Sequence, residues 1–472
     1  MKAIFRPYQK FAREHLLNEP AAGLFLDLGL GKTLITLTAI NDLLFDSFQV
    51  RKPLIVAPKR VAQTVWDAEI AKWDHLQHLR LSKIIGTEKE RKAALRAPAD
   101  LWITNVDNIR WLLAQYPIEA WPFDMLVIDE LSKFKDNQSL RFKDLRKYRP
   151  RFARVVGLTA TPTPNSLVEL WPELRLLDGG YRLGDTVTGF RERFFIHDVY
   201  ERKYRPRDGA KEEIFSMIND ICISMSQKDY LDLPPLIEVE HEAILDPGEM
   251  KAYKDFERAK VMELANEEKV TAVNAAVLAG KLLQYAGGSI YDVDKNAHFV
   301  HDKKVEVLEE LIEEANGAPV LVAYWFQHEL EAILRRIPKA YVFGNKNVQQ
   351  TVDKWNRGEI PIMVVQAQSA AHGLNLQDGG NIIIWFSAIW SSEYFTQFNG
   401  RLYRSGQTKP VYVNKILTRG TMDFDVNEAV KNKLIGQDAL LTSIKAKLAE
   451  YGKVLDGTVP SLPKPVSADS SV

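Results

Sequence analysis

The feature that most constrains this chain is Asp27-Leu28-Gly29-Leu30-Gly31-Lys32-Thr33, set between an apolar run ending at Leu26 and the helical run LITLTAINDLLF at 34–45. Strand, glycine turn and helix in that order form a phosphate loop, which belongs to α/β folds with parallel sheets. Glycines at 29 and 31 let backbone N–H groups converge on an anion, and Lys32 adds a cation that reaches the β/γ oxygens. Thr33 supplies a hydroxyl for a divalent metal. Gly29, Leu30, Gly31, Lys32 and Thr33 are therefore the expected ATP-binding residues, with Thr33 on Mg²⁺. The widest form of the loop asks for a further glycine at position 26, where this chain carries leucine.

Short apolar runs recur around this loop: Ala22 to Leu26, Pro53 to Ala57, Leu101 to Thr104, Met125 to Ile128 and Arg154 to Leu158. Continuous apolar strands between amphipathic helices read as a parallel sheet covered on both faces. The same signature returns in Val320 to Tyr324, Ala340 to Phe343, Ile362 to Gln366, Asn381 to Phe386 and Val411 to Leu417. The expected organisation is one α/β lobe over 1–175, a helical insertion and linker over 176–300, a second α/β lobe over 301–450 and a flexible tail over 451–472. A chain of 472 residues suits two such cores.

Composition removes several classes. Lysine plus arginine and aspartate plus glutamate both number 62, which argues against a histone-like polyanion binder. One cysteine, Cys222, allows neither an internal disulfide nor a multi-cysteine zinc site. The start MKAIFRPYQKFAREHLL carries charges where a signal peptide needs an apolar run, and no stretch is long and apolar enough to span a bilayer. The expected location is the cytoplasm, of a bacterial or an infected host cell, without membrane contact.

A second cluster supplies what the loop lacks. Met125-Leu126-Val127-Ile128 ends in Asp129-Glu130, two carboxylates at the C-terminal edge of a strand, where such sheets bind ligands. Asp129 is placed to hold Mg²⁺ through its waters and Glu130 to orient the attacking water. In the second half, Arg401 and Arg404 stand three apart, so on a helix they share a face and can neutralise a γ-phosphoryl group. Spacing alone equally allows two surface arginines. Residues 131–155 hold nine lysines or arginines against Asp136 and Asp144, a local excess suited to phosphate contacts or to a solvated helix face.

Taken with DLGLGKT (27–33) and DELS (129–132), LTATPTPN (158–165) and QFNGRLYRSGQ (397–407), the chain resembles the superfamily 2 helicase-like ATPases, and among them the Swi/Snf remodeller branch. Two RecA-like lobes are what that resemblance implies. FRPYQ (5–9) is similar to the leader whose glutamine reads adenine, which implies that role for Gln9; its amide has the donor and acceptor the base needs, as an ordinary capping glutamine also would. LIVAPKRVAQTVWDAEIAKW (54–73) and ITNVDNI (103–109) look like the segments that touch the nucleic-acid strand, implying contacts by Lys59 and Thr104. The arginine segment implies Arg404 as arginine finger, Arg401 as a γ-phosphate or coupling residue and Gln397 as the residue positioning them. SAAHGLNLQ (369–377) resembles a further motif, with Ala370 and Ala371 in place of a double glycine, and Ala160 stands where remodellers carry glycine. MSQKDYLDLPP (225–235) resembles the stretch entering the second half.

The function expected from this set is a DNA-dependent ATPase that moves along double-stranded DNA through phosphate contacts, in a compact bacterial or bacteriophage protein serving replication, repair or recombination partners. A strand-separating or fork-remodelling helicase is the alternative within the class. A nucleotide-gated DNA scaffold is the alternative outside it, and the intact Lys32, Asp129, Glu130 and Arg404 weigh against it.

Overall fold

The computed structural model describes residues 1–160, 166–198, 203–226, 233–265, 272–344, 347–370 and 374–431. Residues 161–165 of LTATPTPN, 227–232 of MSQKDYLDLPP, 371–373 of SAAHGLNLQ, including Ala371, and the 451–472 tail lie outside the described residues.

The chain divides into two compact units. Among the described residues, the first holds 1–235 together with 369–378 and 396–409, and the second holds 236–368, 379–395 and 410–431.

The first unit opens with helix α1 (Pro7–Asn18), strand β1 (Ala21–Leu26), helix α2 (Lys32–Asn41), strand β2 (Pro53–Ala57) and helix α3 (Lys59–Lys72). Strands β3 (Leu81–Ile84), β4 (Leu101–Asn105), β5 (Met125–Asp129), β6 (Arg154–Thr159), the hairpin β7 (Phe195–Asp198) and β8 (Lys203–Pro206), and β9 (Cys222–Met225) follow. Seven strands form one sheet in the order β3-β4-β2-β5-β6-β1-β9, with every pairing parallel. Alternate side chains enter two cores: Phe25, Leu54, Val56, Leu126 and Ile128 on one face, Leu24, Leu26, Ile55, Ala57 and Val127 on the other. Burial on both faces is why these strands read as unbroken apolar runs.

The first unit runs past the expected boundary at 175. Phe190, Phe194, Ile214 and Ile218, from the helices Val187–Phe194 and Ala210–Ile218, are buried in its core, and β9 pairs in parallel with β1. Apolar burial joins this segment to the first sheet although its sequence is charged.

The second unit carries β10 (Leu236–Ala243), the small hairpin β11 (Ser289–Tyr291) and β12 (Ala297–Phe299), β13 (Val320–Tyr324), β14 (Tyr341–Val342), β15 (Ile362–Gln366), β16 (Ile382–Trp385) and β17 (Val411–Thr418). Six of them form a parallel sheet in the order β10-β17-β16-β13-β15-β14. Helices Pro247–Ala265, Ala272–Ala286 and Met422–Lys431 share a separate apolar cluster built on Tyr253, Leu282 and Val426. The architecture is thus two parallel-sheet α/β lobes flanked by helices.

Candidate nucleotide site and cationic cleft

The phosphate loop is held from below and from the side. β1 is buried throughout, and Leu26, where the wide motif has glycine, is a fully buried strand residue in the core, so no loop conformation is required of it. Gly29 and Gly31 adopt positive φ of 81° and 84°, the left-handed region open to glycine. Gly31 is the N-cap of α2, so Lys32 and Thr33 open a helix whose unpaired N–H groups and positive dipole end favour an anion. A Cβ on Gly31 would also lie 2.7 Å from Gln9 Nε2. Gln9 is nearly buried: its Nε2 donates to the Leu30 carbonyl at 3.3 Å, and its Oε1 accepts from the Arg6 N–H at 3.0 Å. The glutamine therefore ties the start of α1 to the phosphate loop.

Lys32 Nζ donates back to the carbonyls of Leu26 at 2.5 Å and Asp27 at 3.2 Å. Burial lowers its pKa, and the charges of Glu130, Asp129 and Asp27 oppose that shift while Arg404 adds to it. A phosphate oxygen offers this ammonium a better partner than two carbonyl dipoles.

β5 delivers Asp129 at its C-terminal end. Its Oδ2 accepts the indole N–H of Trp66 at 2.9 Å. Burial, and next the adjacent Glu130, raise its pKa from 3.8 to about 6, against the Trp66 bond and Lys32. Glu130 stands at φ 65°, ψ 65°, left-handed for a residue with a Cβ, and opens a short 3₁₀ turn over Leu131–Phe134. That conformation costs about 1 kcal/mol or more and is held by its side chain: Oε1 accepts from Ser132 Oγ at 3.0 Å and Thr159 Oγ1 at 3.2 Å. Among the described residues no three His, Cys, Asp or Glu side chains gather as a metal cage. One or two carboxylates with the Thr33 hydroxyl instead suit a Mg²⁺ that keeps its waters and phosphate oxygens.

The arginine segment differs from expectation in form. The helix Ser392–Asn399 ends before it, and 400–406 is a run of turns, so Arg401 and Arg404 do not share a helical face. They converge through their hydrogen bonds. Arg401 Nε donates to the Gln397 carbonyl at 2.9 Å and Nη1 to that of Leu374 at 3.3 Å, while Arg404 Nη1 reaches the same Leu374 carbonyl at 3.4 Å and Asn375 Oδ1. Burial and the neighbouring Arg404 bring the Arg401 pKa down to about 9, with Glu130 opposing. This segment belongs to the first unit, and Arg404 is felt electrostatically at Lys32 as Glu130 is at Arg401. The structure thus gathers Lys32, Asp129, Glu130, Arg401 and Arg404 into one charge network.

Beside it opens a cleft of about 270 Å³ lined by Lys59, Arg60, Lys133 and Arg141, with Asp107 the carboxylate on its wall. Lys59 is exposed at the first position of α3. Arg60 Nη1 donates to the Ser369 carbonyl. Four cations against one carboxylate in a concave surface favour a polyanion. The 131–155 run is divided between two tasks. Lys133 and Arg141 face the cleft, whereas Lys135 pairs with Glu169 at 3.4 Å, Arg149 donates to the Leu177 carbonyl at 3.0 Å and Arg154 to that of Leu16 at 3.1 Å. Thr104 is not placed for the contact expected of it: it is fully buried in β4, and its hydroxyl donates to the Ile84 carbonyl at 3.0 Å. Sequence reading also passed over Trp66, which appears in the 54–73 stretch without any sign of which acceptor its indole meets.

A phosphate loop, a strand-end carboxylate pair and the converging Arg401 and Arg404 on parallel α/β lobes define an ATP-hydrolysing helicase-like enzyme. Residues 8–285 match the SNF2-related domain family and residues 303–406 the helicase conserved C-terminal domain, and the chain belongs to the SNF2-related family. Protein p41 of Acyrthosiphon pisum secondary endosymbiont phage 1 is 34% identical over 464 residues, covering 94% of this chain and 99% of that one. The DNA repair and recombination protein RAD54-like of Gallus gallus is 24% identical over 456 residues, 84% of this chain and 61% of that protein. A solved Sulfolobus solfataricus SWI2/SNF2 ATPase core in complex with dsDNA aligns over 97% of this chain and 96% of that one, at 22% identity and a TM-score of 0.44. Among the described residues no helix is long and apolar enough to cross a membrane.

Proposed function

We propose that this enzyme is a DNA-dependent ATPase that moves along double-stranded DNA without separating its strands. The observation that carries the reading is the cleft of Lys59, Arg60, Lys133 and Arg141 in the same unit as the phosphate loop. Its cations bind backbone phosphates without reading bases, which suits a motor that must advance over any sequence. In this reading Gln9, Lys32, Thr33 and Asp129 hold Mg·ATP, and Gln9 selects adenine. Glu130 orients the attacking water. Arg401 and Arg404, positioned by Gln397, neutralise charge spreading over the γ-phosphoryl group. Thr33 and Asp129 would hold Mg²⁺, whose charge would offset that developing on the phosphates. Translocation requires that the grip of Lys59 and its neighbours differ between nucleotide states. The relatedness to a phage protein supports a role in a bacterial cell or during its infection, alongside replication, repair or recombination proteins.

The test is a triplex-displacement assay on intact duplex DNA run beside a strand-separation assay on blunt and forked DNA, at one salt and ATP concentration. Separating strands costs about 1.4 kcal/mol of stacking per base-pair step, which a motor tracking one strand of an intact duplex avoids. ATP-dependent third-strand displacement with little unwinding is the expected result. Efficient unwinding without third-strand displacement would move the assignment to a strand-separating helicase.

A further inference from the structure

Trp66 lies seven residues beyond Lys59 on α3, about two turns along the same face, and has no exposed surface. Its indole N–H is spent on the Asp129 carboxylate at 2.9 Å. Burying an indole does not by itself demand such a bond in this protein. Trp102 and Trp121, in the same unit, are buried with no hydrogen bond to protein at Nε1, and Trp171 satisfies its own on the Gly184 carbonyl at 2.9 Å. Only the Trp66 bond among these falls on a carboxylate of the charge network around Lys32.

We infer that Trp66 is a positioning residue: its indole holds one oxygen of Asp129 and so fixes the orientation in which the carboxylate meets the metal of bound ATP. A carboxylate at a strand end turns readily about its terminal torsion, and an indole locked by packing on every side removes that freedom. Groups that orient a metal-binding side chain in this way are worth about 10–100-fold in metal affinity. The inference rests on the reading of Asp129 as a Mg·ATP residue.

The experiment measures binding, not turnover. A fluorescein-labelled, non-hydrolysable ATP analogue is titrated with the full chain by anisotropy, once in MgCl₂ and once in EDTA, and the ratio of affinities gives the strengthening due to Mg²⁺. Trp66→Phe is expected to cut that ratio about tenfold while leaving metal-free affinity within about twofold of the parent. An unchanged ratio, or equal losses with and without Mg²⁺, would overturn the inference and leave Trp66 a packing residue. Asp129→Ala separates the two levels: if it too keeps the parent ratio, the reading of Asp129 fails and this inference with it. Should Trp66→Phe fold poorly, benzothienylalanine placed at 66 keeps the ring shape, removes the N–H, and decides the question by the same ratio.

Discussion

A Cβ added to Gly400 would come within 2.7 Å of Leu28 Cδ1, so the turn that carries Arg401 lies against the Leu28 side chain of the phosphate loop. Gly400→Ala must displace the Leu28 side chain, and overpacking costs about 1–3 kcal/mol where the neighbour has no room to move. We expect DNA-stimulated ATP turnover to fall about tenfold, with the melting temperature lowered by only a few degrees. Turnover equal to the parent would show that the contact has no part in placing the arginines.

Glu130→Gln preserves an oxygen to accept from Ser132 and Thr159 and removes the charge that orients water. It should bind Mg·ATP and DNA as the parent does, yet hydrolyse about 10²-fold or more slowly. Lys32→Ala should instead weaken nucleotide binding, because a direct cation on phosphate is gone. Equilibrium nucleotide affinity and steady-state turnover on the same preparations separate the two effects. Near-parental turnover of Glu130→Gln would remove it from the water-orienting role.

Arg404→Ala should fold and bind DNA but lose about 10³-fold in DNA-stimulated turnover, the lower range for an arginine finger. Lysine should not restore it, since an ammonium lacks the planar, multi-donor guanidinium that spreads its charge over a phosphoryl group. A variant keeping a third of parental turnover at saturating ATP and DNA would contradict the assignment.

Asp129 links stability to pH. Its folded pKa of about 6 lies above the ordinary 3.8. Below 3.8 both folded and unfolded chains hold the proton; between 3.8 and 6 the unfolded chain sheds it first, so the native state loses stability as pH rises, and above 6 the loss is complete. Asp129→Asn removes that cost and can still accept from Trp66. The nucleotide-free variant should therefore melt higher than the parent, by about 1–2 kcal/mol at pH 7.5 and by less at pH 5. Thermal melts at the two pH values check it; a variant less stable at both would mean that the ionised carboxylate supports the fold.

Lys59 and Thr104 separate in a salt titration. Lys59→Ala should weaken duplex DNA binding and reduce the dependence of log K on log salt by about one phosphate contact. Thr104→Val should leave DNA binding unchanged and cost about 1 kcal/mol of stability through the lost bond to Ile84. Anisotropy on labelled duplex across a salt series, with melts of both proteins, distinguishes the two. Equal losses of affinity would place Thr104 at the interface after all.

The central strands were legible because each carries its own evidence. β1, β2, β5 and β13 are covered on both faces and appear as unbroken apolar runs. Within the two parallel sheets the strands absent from that pattern are β3, β9 and β10, and each ends its sheet; the two small hairpins, β7-β8 and β11-β12, lie outside those sheets. An edge strand is less fully covered and keeps polar residues, as LSKI and LIEVEHEA do, so its pattern merges with that of charged helices. The reach of the first unit to residue 235 was hidden for the same reason, since a handful of buried phenylalanines and isoleucines lie among many charges.

Sequence alone located the groups that are neighbours in the chain: the glycine loop with Lys32 and Thr33 at a strand-to-helix turn, and the Asp129-Glu130 pair at a strand end. Local order suffices there because one turn or one strand end sets the geometry. Tertiary structure decided everything that joins distant segments. It brought Gly400 against Leu28, set Arg401 and Arg404 on the Leu374 carbonyl, buried Thr104 and gave Asp129 its indole partner 63 residues away. Those contacts arise from close packing of side chains that meet only after the sheet has formed, and no local pattern of residues encodes which of them will touch.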